Sequence, residues 1–255
     1  MQNYLIDTHC HINYIEGFNF DEIIQSANAH GVNKILVPAA CRADFEKVIE
    51  LCENFPQVFG YIGIHPEEVN NWSDDTVTLI KQFAGHKKIV GIGEIGLDYY
   101  WDKSTAELQK EVFIEQIKIA NDFGLPINVH SREAAKDTFD ILAKYNKNST
   151  VIMHCFSGSV EFAKECVRAG MYIALGGVVT FKNAINAKEV AKTIPLERLL
   201  LETDAPYMAP TPMRGQTNLP AYVKYVAEEI AKLREITFED VANATTNNAE
   251  RILNI

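Results

Sequence analysis

Apolar residues in this chain come in short continuous blocks, separated by longer stretches in which they recur every three or four positions. The blocks fall at residues 4–9, 33–39, 58–64, 88–94, 126–130, 150–154, 171–175 and 198–202. The stretches between them carry the spacing of amphipathic helices, at residues 21–30, 42–54, 74–83, 105–123, 132–145, 160–169, 184–193 and 220–234. Gly31 and Gly124 follow two of these stretches as helix stops, and Asp74 and Asp75 sit where a helix dipole favours acidic side chains. A further helical pattern covers residues 237–253. Continuous blocks, unlike alternating ones, suit strands buried on both faces of a parallel sheet covered by helices. Eight strand-helix units in 255 residues predict an α/β chain, a (β/α)8 TIM barrel over residues 1–255 as one domain, with an additional C-terminal helix outside it. The Pro-rich stretch 205–220 reads as a long ordered loop between the last strand and the eighth helix.

The polar residues that close the blocks are of one chemical kind. His9 and His11 follow the first block, His65 the third, Glu94 the fourth, His130 the fifth, His154 the sixth and Asp204 the eighth. Residues two apart on a strand share a face, so His9 and His11 can project together. In a (β/α)8 barrel all strand C-termini share one rim, where the active sites of such enzymes lie. Imidazole and carboxylate are ligands for zinc, manganese and similar ions. His9, His11, Glu94, His130, His154 and Asp204 are more ligands than one zinc takes, which predicts two divalent ions bridged by a carboxylate. Glu94 is the expected bridge, because the glycines of Gly91-Ile92-Gly93-Glu94-Ile95-Gly96 allow close approach. That string also matches GxGxxG, but its glycines alternate with strand residues and the next helical pattern starts about ten residues later, which excludes a dinucleotide fingerprint. His30 and His86 fall at helix ends or connections and read as structural.

Composition narrows the field. The 47% hydrophobic and 23% charged fractions are those of a globular protein, and no apolar run approaches the ~20 residues that span a bilayer. Met1-Gln2-Asn3 lacks a positively charged leader, so a cytoplasmic protein without membrane contact is expected. Five scattered cysteines without a CxxC argue against a disulfide framework or zinc ribbon and read as reduced. A net charge of −10 argues against broad electrostatic coating of nucleic acid; a polyanionic substrate would have to be held locally.

Six segments, LIDTHCHIN (5–13), GIHP (63–66), GEIGLDYY (93–100), PINVHSREA (126–134), HCFSG (154–158) and LLLETDAPY (199–207), together resemble the TatD-type metal-dependent deoxyribonucleases among the amidohydrolase-like metallohydrolases. The resemblance implies one metal held by His9, His11, Glu94 and Asp204 and a second by Glu94, His130 and His154. It implies cleavage of DNA phosphodiester bonds with Mg²⁺, Mn²⁺ or Zn²⁺, as a 3′–5′ exonuclease on single strands or 3′ ends. One departure is Lys136, where an acidic residue is more usual; Asp137 stands beside it.

On this reading Asp204, Glu94 and His65 are the catalytic residues. Asp204 ligates a metal and orients or deprotonates the attacking water, and His65 is either a donor to the scissile phosphate, the preferred reading, or a peripheral metal contact. Arg132 holds a phosphate by bidentate hydrogen bonds or forms a structural salt bridge, and the two remain open at this stage. Tyr99, with Tyr100, Trp101 and Phe156, offers rings for base stacking, and Arg214 and Asn218 in the Pro-rich loop are expected substrate contacts. Asp7 and Glu202 are expected to orient ligating histidines. Cys10 and Cys155 read as packing residues. The competing reading is a metal-dependent ester hydrolase on the same residues, such as a D-aminoacyl-tRNA deacylase.

Overall fold

A computed structural model describes residues 4–255, so the reading of Met1-Gln2-Asn3 lies outside the described residues. Eight strands, β1 Leu5–Asp7, β2 Val32–Pro38, β3 Val58–Ile62, β4 Ile89–Asp98, β5 Ile127–Arg132, β6 Val151–Met153, β7 Tyr172–Leu175 and β8 Leu199–Leu201, form one sheet in chain order. The helices are α1 Phe20–Ala29, α2 Phe45–Asn54, α3 Asp74–Ala84, α4 Ala106–Phe123, α5 Ala135–Tyr145, α6 Val160–Arg168, α7 Ile185–Thr193, α8 Val223–Arg234 and α9 Phe238–Leu253. Parallel strands in chain order, each followed by a helix, define the (β/α)8 class, and α9 is the additional C-terminal helix. No helix among the described residues is long and apolar enough to cross a membrane.

The chain divides into two compact units. The first comprises the described residues up to Val37 with Cys155–Arg168 and Tyr172–Ile255. Within it β1 pairs with β2 and β7 with β8, and Leu5, Ile35, Leu36, Ile173, Leu199 and Leu200 are buried. Capping boxes start α1 at Asn19 with Glu22 and α9 at Thr237 with Asp240, which satisfies backbone donors at both helix entries.

The second unit comprises Pro38–His154 and Ala169–Met171. Its strands β3 to β6 pair in parallel, around Tyr61, Ile62, Ile92, Phe113, Ile117 and Ile127. Here β4 and β5 run further than the hydrophobic pattern suggested. Beyond Glu94 the strand continues to Asp98, and Gly96 pairs with His130 and Asp98 with Arg132 after a register shift between Ile92 and Ile95. The shift leaves Gly93 and Glu94 out of the regular ladder, so Glu94 sits within an irregular strand and not at a strand's end. Because β5 extends to Arg132, α5 begins three residues later, at Ala135.

Candidate metal centres

In the first unit the ladder stops at Asp7, yet the next residues keep pairing. Thr8 N donates to the Leu201 carbonyl, Cys10 N to Leu36 and His11 N to Ala205, while Asp204 N donates to the His9 carbonyl. These bonds fix the segment carrying His9 and His11 against the turn after β8 that carries Asp204. The Nε2 atoms of His9 and His11 lie 3.2 Å apart, and each is near Asp204 Oδ1, at 3.7 and 3.6 Å. Ligands of one ion with bonds of about 2.1 Å are separated by roughly 3.0–3.4 Å, so the His9–His11 edge matches a coordination shell and the two edges to Asp204 are slightly wider than one. All three residues are buried or nearly so. Asp204 holds a left-handed backbone (φ 54°), a conformation that aspartate tolerates better than most residues.

The carboxylates expected to orient histidines bind backbone donors. Asp7 Oδ1 accepts from the backbone N–H of Thr203 (2.9 Å) and of His9 (3.3 Å), and Oδ2 accepts from the Thr203 hydroxyl (2.6 Å). It therefore fixes backbone at both ends of the cluster; burial pushes its carboxyl well above the usual range, against these bonds. Thr203 was not singled out from the sequence. Glu202 comes within 4.8 Å of a His9 ring nitrogen and accepts from Cys155 N.

In the second unit three imidazoles converge on one oxygen, Glu94 Oε1: His130 Nδ1 at 2.9 Å, His154 Nε2 at 2.9 Å and His65 Nε2 at 3.5 Å. Two of these rings are sorted by their other nitrogen. His130 Nε2 lies 2.9 Å from Asp98 Oδ2, so the ring donates there and turns its Nδ1 lone pair toward Glu94. A lone pair facing a carboxylate oxygen is unfavourable unless a cation is shared between them or the ring is protonated. Burial opposes the charge on His130, but the Asp98 and Glu94 carboxylates outweigh it and hold its pKa above the usual value. Burial alone would raise Asp98, but the His130 contact and backbone donors hold it low. His65 is the opposite case: its Nδ1 accepts from Glu67 N at 3.2 Å, so the neutral ring carries its proton on Nε2, the nitrogen that faces Glu94. His130 thus fits as a ligand with Glu94 and His65 as a donor beside them; ligand atoms of all three lie within 4.8 Å of one another, and His154 Nε2 faces the same Glu94 oxygen.

Asp98 is a second residue that sequence reasoning missed. It is 1% exposed; Oδ2 holds His130, while Oδ1 accepts from Tyr100 N (2.8 Å) and Trp101 N (3.3 Å). An asparagine offers only one acceptor oxygen for these donors. Removing a carboxylate that orients a metal-bound histidine typically costs about 10–100-fold in affinity. Asp98→Asn is expected to weaken by that factor the ion held with His130, as read by calorimetric titration of metal-stripped protein.

Two expected substrate contacts have partners within the chain. Asn218 is fully buried, its Nδ2 donating to the carbonyls of Thr203 (2.9 Å) and Tyr207 (2.7 Å), so it braces the loop around Asp204 and does not face solvent. Tyr99 donates its hydroxyl to Asp137, which also binds Lys110, and burial with that carboxylate pushes the phenol up to about 12. Phe156 is buried against Phe162. Arg214 is exposed, with its guanidinium 4.0 Å from the centre of the Phe181 ring. Arg132 is exposed and makes no ion pair among the described residues. His30 Nδ1 bonds to the Ser26 carbonyl and His86 Nε2 pairs with Glu53, both away from the ligand sets. All five cysteines are free thiols.

Two sets of histidine and carboxylate, on or just past the strands of a (β/α)8 chain, are the make-up of a metal-dependent hydrolase. The chain belongs to the TatD family, for the family described as TatD related DNase matches residues 6–254. It is 45% identical over 254 residues to the uncharacterized metal-dependent hydrolase YabD of Bacillus subtilis, covering 98% of this chain and 99% of that one. It is 35% identical over 257 residues to the uncharacterized metal-dependent hydrolase YcfH of Escherichia coli, covering 99% and 96%. Among solved structures, the TatD homologue YjjV of Escherichia coli matches over the whole of both chains with a TM-score of 0.94 at 34% identity. This chain is accordingly a metal-dependent hydrolase.

Proposed function

We propose that the chain is a two-metal deoxyribonuclease that shortens single-stranded DNA or 3′ ends. His9, His11 and Asp204 would hold one divalent ion, and Glu94, His130 and His154 another. Bound there, Mg²⁺, Mn²⁺ or Zn²⁺ supplies acidification of water and neutralisation of phosphate charge. The chain's own residues do the rest. Asp204 orients the attacking water and takes its proton. His65, with its proton on Nε2, donates to a phosphate oxygen or to the departing sugar oxygen. The observation that carries phosphodiesters over other esters is Arg132, an exposed cation two residues after His130 on β5 with no carboxylate partner among the described residues. A bidentate guanidinium in a chain of net charge −10 suits a phosphate better than a neutral ester.

The test is hydrolysis of end-labelled single-stranded DNA by metal-stripped protein with Mg²⁺, Mn²⁺ or Zn²⁺ restored. Metal-dependent, stepwise shortening from the 3′ end is expected. Intact metal binding without cleavage under any ion overturns the nuclease, and D-aminoacyl-tRNA and other carboxylic esters then become the substrates to assay.

A further inference from the structure

Beyond the metal ligands, one cluster of the second unit has the character of a binding surface. Tyr100 and Trp101 follow β4 with 50% and 63% of their surface exposed, an uncommon state for two adjacent large rings. They meet edge to face, with centroids 4.8 Å apart and an interplanar angle of 85°. The guanidinium of Arg132 lies 3.8 Å from the centre of the Tyr100 ring and 5.3 Å from that of Trp101. Arg132 thus lies over the Tyr100 ring and near that of Trp101, while it makes no ion pair among the described residues.

The cluster is tied to the candidate metal ligands by one group. Asp98 Oδ1 accepts from the backbone N–H of both Tyr100 and Trp101, and its Oδ2 holds the His130 ring. The β4–β5 register pairs Asp98 with Arg132 and Gly96 with His130. The rings, the cation and a metal-ligating imidazole are therefore fixed to the same two strand ends.

We infer that Tyr100, Trp101 and Arg132 form a platform for one unpaired nucleotide of the substrate, its base stacked on Trp101 and its phosphate on Arg132. This rests on the nuclease reading and names the residues that would give it its single-strand preference, because a paired base has no free face to offer. Charge complementarity favours this occupant. The only cation in the cluster is Arg132, in a chain of net charge −10, and it lies beside rings that take a base of any identity.

Trp101 is itself the reporter, since the chain has only one other tryptophan, Trp72. Trp72→Phe protein is titrated with a phosphorothioate oligothymidylate hexamer, with binding followed separately by anisotropy of a labelled hexamer. Saturable quenching of Trp101 emission that tracks the anisotropy is expected, with none from inorganic phosphate or a blunt hairpin. In turnover, Trp101→Ala is expected to raise KM for single-stranded DNA about tenfold with a much smaller change in kcat, and Trp101→Phe to retain most of the affinity. An abasic residue at the stacked position should cost the unmutated enzyme the same factor and cost Trp101→Ala nothing more. No hexamer binding, binding without quenching, or equal losses for Trp101→Ala on intact and abasic strands would overturn the platform. Cleavage without quenching leaves the nuclease standing and removes the platform; a hexamer that quenches but is never cleaved does the reverse.

Discussion

Replacing Asp204 by asparagine is expected to lower kcat for DNA hydrolysis on the order of 10³-fold, within the range lost when a general base is removed, while the protein stays folded. The position combines three demands. Its carboxylate faces the Nε2 atoms of His9 and His11 at 3.7 and 3.6 Å, its backbone N–H holds the His9 carbonyl, and its φ is 54°. Asparagine satisfies the last two, because it accepts the left-handed region about as well as aspartate, and fails only the first. Alanine fails the first and adds roughly 1–2 kcal/mol of backbone strain, so Asp204→Ala alone confounds chemistry with stability. Single-turnover rates on end-labelled DNA, with thermal unfolding of both variants alongside, separate these effects. An asparagine variant that keeps more than about a tenth of the activity would show that Asp204 is no more than a replaceable ligand and would remove the proton-transfer role assigned to it.

The strands were legible because each is a continuous apolar run, and ligand-type residues stand out where such runs stop. The same rule hid what lies past them. Reading β4 as ending at Glu94 follows from the change to polar character, but Leu97 and Asp98 are as buried as the residues before them, because β5 continues alongside. Burial of Asp98 is possible only because His130 and two backbone donors satisfy its carboxylate, and none of these bonds has a signature in composition or spacing. Asn218 misled for the converse reason. A polar residue in a Pro-rich loop looks like surface, yet its amide is used up by the carbonyls that flank Asp204 and Pro206. The three consecutive aromatics after β4 could not be ranked from sequence either. Tyr99 has a carboxylate within reach of its hydroxyl, and Tyr100 and Trp101 do not, a difference set by where Asp137 falls on α5.

The histidines show the same limit at the level of atoms. Spacing alone presents His65 and His130 alike, each closing an apolar block, and only the family resemblance gives them different roles. Their neighbours separate them, since an amide N–H from Glu67 pins the proton of His65 on Nε2, whereas Asp98 draws the proton of His130 to Nε2 and frees Nδ1. Donor and ligand are thus assigned by what touches the far side of each ring.

Replacing Gly96 by alanine is expected to have the largest effect on stability of any single methyl added to this chain, a loss of more than about 4 kcal/mol or outright failure to fold. A Cβ at Gly96 would stand 2.0 Å from the His130 carbonyl oxygen, 2.9 Å from its carbon and 3.1 Å from its nitrogen, on a backbone with φ of 145°. All three neighbours are backbone of the paired strand, so no side-chain rotation relieves the overlap; β4 and β5 must separate where they hold Glu94, Asp98 and His130 together. Gly124 is the natural control. It also has a positive φ, 65°, at the end of α4, but nothing lies within 4 Å of an added Cβ, so Gly124→Ala carries only the strain of a left-handed alanine, roughly 1–2 kcal/mol. Urea unfolding of the two variants side by side decides the matter. Similar midpoints for both would mean that the β4–β5 approach at His130 is loose enough to admit a side chain, and the close pairing that fixes the ligand set would have to be given up. A large gap, with the weaker variant also losing calorimetric metal binding, is the expected outcome and locates the rigidity of this ligand set in a glycine that touches no ligand side chain.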